Sequence, residues 1–243
     1  MSVLILTSTV HINSLMTVVV DPKIRLQQYI DSIHFYLDSK EIQKIIVCDN
    51  SGFDYTSITA LQEHAHQSDK AIEFLHFQGT LDKIQEFGKG FGEGEIMAFV
   101  FKHSRFIREQ ESAFVKVTGR LKIVNIDAVL AKMKKDFNYF QPVNLNPFVN
   151  LKKVDTRFYQ CKKVIFNTFL ESSYSDVHDK EGVFLEHVYY KQLLSNNIVF
   201  ENFAVLPNFL GISGSTGIVY EMSSSSFRIR QYLSTVFRIL KKL

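Results

Sequence analysis

Apolar residues along this chain alternate between short runs and stripes at helical spacing, the pattern of strands interleaved with covering helices. Val3 to Leu6 is a predicted strand. Leu26, Tyr29, Ile30, Ile33 and Leu37 recur at helical spacing, and Ile45 to Cys48 forms a second strand ending in the turn residues Asp49-Asn50-Ser51-Gly52. A short helix over Ile58 to His66, a strand over Ile72 to Phe77, a longer helix over Glu93 to Arg108 and a fourth strand over Phe114 to Val117 follow. The longer helix is entered through Gly88-Lys89-Gly90-Phe91-Gly92-Glu93-Gly94-Glu95, read as a glycine-rich loop. After Gly119 the pattern loosens. Helices are expected at Ile126 to Lys135, Lys162 to Glu171 and Glu181 to Leu194, extended chain at Val154 to Tyr159, a strand at Ile198 to Val205, and loop at 206 to 225. The order predicts an α/β fold with a mostly parallel central sheet flanked by helices. The Pro/Asn-rich stretch Gln141 to Asn150 is too short for a true linker, so 1–222 is read as one domain whose halves, 1–120 and 121–222, share a cleft; 223–243 is a terminal helix.

With 46% hydrophobic and 22% charged residues among 243, the chain has the composition of an ordinary globular protein, which excludes a disordered tail protein. The net charge of +3 is unevenly placed: residues 1–101 carry 7 basic and 13 acidic side chains, and residues 102–243 carry 21 and 12. An anionic ligand is therefore expected to dock mainly on groups from the second part. Cys48 and Cys161 fit no metal-knuckle spacing and read as reduced thiols of a cytoplasmic protein. The first twenty residues are uncharged, yet Thr7, Ser8, Thr9, His11, Asn13 and Ser14 interrupt them and no basic region precedes them. A strand, loop and strand are expected there, with neither a signal peptide nor a membrane span.

In an open α/β sheet, ligands bind beyond the carboxyl ends of the strands. The polar residues there are Thr7-Ser8-Thr9, Asp49-Asn50-Ser51 and Lys116-Val117-Thr118-Gly119-Arg120. On an extended chain Lys116, Thr118 and Arg120 share one face, which would converge two cations and a hydroxyl at a strand end. The glycine-rich segment matches neither a dinucleotide fingerprint nor a P-loop. Glu93 and Glu95 would repel phosphate from its helix start, so a sugar-hydroxyl contact or plain capping is weighed beside phosphate binding. The histidines form no metal-ligand spacing, and no Gly-x-Ser-x-Gly elbow exists.

The strand order, Asp49 after the second strand, the glycine-rich entry to a helix and the polar motif after the fourth strand resemble a GT-A-type glycosyltransferase. Phe114-Val115-Lys116-Val117-Thr118-Gly119-Arg120, Asp155-Thr156-Arg157-Phe158-Tyr159 and Gly182-Val183-Phe184-Leu185-Glu186 resemble bacterial enzymes of capsular polysaccharide and lipopolysaccharide synthesis, over most of residues 2–210. The resemblance implies a GT-A-like fold and a nucleoside-diphosphate-sugar donor, a UDP-sugar by preference, bound by Thr7, Ser8, Thr9, Asp49, Asn50, Glu93, Lys116, Thr118 and Arg120. It implies Glu186 as general base, with Asp155 as a second carboxylate whose alternative is an ion pair with Arg157. Arg157 and His187 are placed near the acceptor, a lipid-linked glycan or oligosaccharide, or just behind the groups that touch it, with His187 read rather as a supporting or surface residue. GT-A enzymes commonly place Asp-x-Asp after the fourth strand to hold a divalent metal; Lys116, Thr118 and Arg120 occupy that place here. Fixed cations can stabilise a leaving diphosphate as a metal does, so transfer without a metal is expected.

From Phe227 to Leu243 there are five basic residues and no acid, and Ile229, Leu233, Val236, Phe237, Leu240 and Leu243 fall on one helical face opposite the cations. Such a helix suits the surface of an anionic membrane, here the inner face of the plasma membrane, or packing against protein. Two other classes are weighed. A sugar nucleotidyltransferase shares the sheet but needs an N-terminal glycine-rich signature and carboxylates for magnesium. A basic binding protein for anionic polymer would need basic stripes interleaved with aromatics, whereas most of the 22 Phe follow core periodicity; no nucleic acid partner is expected.

Overall fold

The computed structural model describes residues 2–12, 21–109, 112–144, 151–213, 217–221 and 224–240. The second strand expected before residue 20, the end of the Pro/Asn-rich connection, Ser223, and Lys241 to Leu243 lie outside them. A five-stranded sheet runs in the order β3 (Ala71–His76), β2 (Ile42–Asp49), β1 (Ser2–Ser8), β4 (Ala113–Thr118), β6 (Phe158–Lys162). The first four are parallel and β6 is antiparallel to β4. The chain thus has the expected α/β architecture, a mostly parallel sheet flanked by helices.

Period-two alternation divides the sheet between two cores. Ile5, Ile46, Cys48 and Phe114 face α4 (Lys89–His103), α5 (Arg105–Glu109) and α8 (Leu185–Ser195); Leu4, Leu6, Val47, Val115 and Val117 face α1 (Pro22–Leu37) and α2 (Thr59–Gln67). From β1 the chain builds β2 and β3 on one side, then crosses to β4 on the other. The carboxyl ends of β1 and β4 therefore flank the point where strand order reverses, the usual ligand crevice of a doubly wound sheet.

Several expectations need correction. The glycine-rich segment is not a loop: Gly90, Gly92 and Gly94 lie inside α4, after a short α3 (Leu81–Phe87) and a break at Gly88 with φ 103°. Tertiary packing overrides propensity here, because these glycines admit close neighbours. A Cβ on Gly94 would overlap the Cβ of Tyr174, and one on Gly90 would meet Val177 at 3.1 Å. The expected long helix also ends at His103, where Ser104 starts α5 by accepting from the Ile107 amide at 3.2 Å. Helix α6 is only Ile126–Leu130. Extended chain expected at 154–159 becomes strand only at β6, and Ile198 to Val205 forms no strand, contributing a single bridge from Glu201 to Tyr139. The 206–225 segment carries two short strands, β7 (Phe209–Ile212) and β8 (Val219–Tyr220), and β7 pairs with β5 (Lys122–Ile123). Helix α7 (Lys163–Ile165) is a single turn that runs into a π-helical turn Phe166–Leu170, within the helix expected there, and α9 spans Ser224–Leu240.

Candidate active site

A cavity of about 910 Å³ opens at the carboxyl ends of β1 and β4, lined from both halves of the chain. That volume suits a ligand of nucleotide-sugar size. Of the residues expected to bind donor, Thr7, Ser8, Thr9, Asn50, Glu93, Thr118 and Arg120 line it. Asp49 and Lys116 lie behind the wall. The Asp49 carboxylate accepts from Ser8 Oγ (2.7 Å), Ser51 Oγ (2.6 Å) and the amides of Ser51, Val10 and Phe53 (2.7, 3.0 and 3.2 Å), so it fixes the ends of β1 and β2 rather than facing the cavity. This leaves a single side chain holding the floor in register. Asn50 joins the two walls, accepting from Thr9 Oγ1 at 2.6 Å and donating to the Gly92 carbonyl at 3.3 Å.

Lys116 and Arg120 do not share a face. Strand β4 ends at Thr118, and Gly119 passes so close over β1 that a Cβ there would stand 2.5 Å from the Thr7 carbonyl oxygen. The turn breaks the alternation. Lys116 points towards α4, where its ammonium contacts Glu93, Thr118 Oγ1 (3.1 Å) and the Thr156 carbonyl (2.7 Å). Arg120 points instead towards α1, donating to Gln28 at 3.2 Å and to the Ile212 carbonyl at 3.4 Å. It is 8% exposed, and its Nε has no hydrogen-bond partner among the described residues.

Beside Arg120 stands Arg25, buried in the first turns of α1, which sequence reasoning missed. Its guanidinium donates to the Thr9 carbonyl (2.8 Å from Nε) and to Tyr29 (3.1 Å). Both guanidinium carbons lie near the Tyr29 ring, 5.7 and 5.9 Å from its centre. Burial weakens the hold of Arg25 on its proton, Tyr29 counters this, and the charge of Arg120 adds to it. The Asp49 charge supports the Arg25 guanidinium, and the two buried arginines stand together on one wall of the cavity. The signal was available: Arg25 extends the buried stripe Tyr29, Ile33, Tyr36 by one turn.

On the opposite wall, Glu186 sits in the first turn of α8, half-buried, with no side-chain hydrogen bond or ion pair among the described residues. Asp155 is committed to Arg157, which grips it through Nε (2.9 Å) and Nη2 (2.6 Å), so the ion-pair alternative holds for it. Arg157 packs against both Phe209 and Tyr220, 4.5 and 4.9 Å from the ring centres. Burial works against its charge, but the hydrogen bonds and charge of Asp155 outweigh that and raise its pKa. His187 does not line the cavity: it accepts from the Phe184 amide at 3.2 Å and so caps α8. Asp179, a second missed residue, accepts from the Gly90 amide at 3.0 Å and so already occupies the amino end of α4 with a carboxylate. Burial raises its pKa, with the Gly90 amide and Lys89 pulling it back, and its Oδ1 is buried without a hydrogen-bond partner among the described residues. No sequence signal marks it, because only tertiary packing brings it to α4.

Burial pulls the Lys116 ammonium from the usual lysine value of 10.5 down to about 7, opposed by the charges of Asp155 and Glu186 and assisted by Arg157. Below about pH 7 both the folded and unfolded chains carry this proton; between about 7 and 10.5 only the unfolded chain does. Stability should therefore rise with pH in that window, by at most about 1.4 kcal/mol per unit. Melting curves of the wild type and Lys116→Met should diverge in the wild type's favour as pH rises from about 7 to about 9. Parallel pH profiles would contradict this placement of Lys116.

Among the described residues, no three His, Cys, Asp or Glu side chains group to hold a metal ion. No family model matches the chain, and no curated protein matches it. Among solved structures, one match is a CMP:2-keto-3-deoxy-manno-octonic acid synthetase complexed with CTP, 9% identical, covering 100% of this chain and 99% of that chain at a TM-score of 0.41. At that level of likeness the function has to be read from the site.

Proposed function

We propose that this chain acts on a nucleotide-activated sugar, and that it transfers the sugar from a nucleoside diphosphate to a bacterial surface-glycan acceptor. One observation carries the reading: a cavity at the strand-order reversal holds the Arg25–Arg120 pair on one wall and the unpaired Glu186 on the other. The arginines bind the diphosphate, and Arg120 Nε is a donor left over for it. The acceptor hydroxyl attacks the anomeric carbon and the bond from that carbon to the diphosphate oxygen breaks. Glu186 takes the hydroxyl proton, and the charge released on the diphosphate stays with the arginines. A base in this role serves a single displacement with inversion.

The GT-A pattern implies a divalent metal on the diphosphate, and the residues at that place do not suit one. Lys116 and Arg120 bring nitrogen groups where a metal would need carboxylates, the Glu93 carboxylate is bound to Lys116, and Asp155 is bound to Arg157. We derive no step through a metal. A second reading, transfer of a nucleotidyl group onto a sugar, is favoured by the presence of Asp179 and Glu186 in the same cavity, since neither carboxylate is saturated by protein donors and such groups hold magnesium.

The experiment is a thermal-shift screen of nucleoside diphosphates, nucleotide sugars and CTP with and without EDTA, followed by identification of the phosphate product. Nucleoside diphosphate released in EDTA is the expected result. Pyrophosphate released only with magnesium establishes the second reading, and no shift with any nucleotide removes both.

A further inference from the structure

We propose that α9 is a membrane-surface helix that lies on an anionic bilayer with Ile229, Tyr232 and Leu233 inserted among the lipid chains. An amphipathic helix of a soluble domain normally turns its apolar stripe inward. Here the orientation is reversed. The side facing the body is mainly polar beside a half-buried Phe227: Gln231 donates to the Ala204 carbonyl at 3.0 Å and accepts from the Leu206 amide at 2.7 Å, and Ser234 is buried. The outward side carries Ile229, Tyr232 and Leu233 at 62%, 70% and 41% exposure. Ile218 and Val219, both exposed, precede the helix in the chain.

The charges select the occupant. Arg228 and Arg230 are exposed on either flank of the apolar stripe, and no acidic residue occurs from 222 to 243, where five residues are basic. Flanking arginines can reach lipid phosphates while the stripe enters the acyl region. A symmetric contact with a second copy would instead gather two sets of these cations into one interface, with no acidic residue of the helix to offset them. Spanning is not at issue, since among the described residues no helix is long and apolar enough to cross a membrane. The proposal does not depend on the reaction assigned to the cavity.

The test is sedimentation of the full chain with vesicles of phosphatidylcholine alone and of phosphatidylcholine mixed with phosphatidylglycerol, with melting curves and gel filtration of each variant. Binding to the mixed vesicles only is expected. Ile229→Gln with Leu233→Gln should weaken it by about tenfold or more, and Arg228→Gln with Arg230→Gln by about fivefold per arginine, less at high salt. Because all four side chains are exposed, melting should be unchanged. The proposal is overturned by absent binding to the mixed vesicles, by double variants that bind as the wild type does, or by a concentration-dependent dimer that Ile229→Gln with Leu233→Gln dissociates while vesicle binding is absent.

Discussion

Replacing Glu186 by Gln is expected to lower turnover by roughly 10²- to 10⁴-fold, the range for losing a general base, while nucleotide affinity changes by no more than about twofold. The expectation rests on geometry. Glu186 faces the cavity without a protein partner, whereas Asp155 spends both oxygens on Arg157 and Asp49 is enclosed by five donors. Gln keeps the size but removes the negative charge and with it the capacity to accept a proton, so loss of affinity for an anionic ligand is not the anticipated route. The substitution also removes one charge that supports the Lys116 ammonium, an effect on melting that is measured separately. Turnover near the wild-type value would remove Glu186 from the mechanism and leave the base to Asp179 or to solvent.

Gly94→Ala sets two physical effects against each other. In an isolated helix the change is favourable by about 1 kcal/mol, because glycine is a poor helix former. In α4 the added methyl would overlap Tyr174 at its Cβ, the one side-chain carbon that cannot swing away, and the ring carbon behind it stands 2.6 Å from the same point. Overpacking should win, costing about 3 kcal/mol net and lowering the melting temperature by roughly 10 °C. A variant that melts at or above the wild type would show that α4 does not press on the 173–176 turn as described. The site would then lose its basis too, since the same face of α4 presents Gly90 to Asp179 and carries Glu93 to Lys116.

The sheet was legible in the sequence because β1, β2 and β4 are covered on both faces and read as near-continuous apolar runs with polar ends. The first and second helices were legible by their periodicity. Glycine was the main source of error. Gly88 to Gly94 look like a loop by propensity, yet they are spaced for contact with Asp179, Asn50 and Tyr174, which no local pattern reveals. Arg120 was correctly placed at the cavity but on the wrong face, because a single glycine at 119 ends the alternation that Lys116 and Thr118 obey. Lys116 itself was expected to meet phosphate, and instead lies behind the wall on Glu93. Arg25 and Asp179 escaped notice for different reasons: the first lay on a stripe read only for its apolar members, the second is made meaningful by a helix start 89 residues away. The terminal helix was predicted with its stripe, but which way the stripe faces is a property of the fold, set by Gln231 at the 204–206 backbone.

The measurement that bears most directly on the central claim is calorimetric titration of the wild type and Arg120→Gln with a nucleoside diphosphate and its sugar conjugates in EDTA. The account predicts binding to the wild type, weakened by about 10- to 100-fold in the variant, as for loss of a charged hydrogen-bonding partner of a phosphate. No binding to the wild type, or equal binding to both proteins, would contradict it.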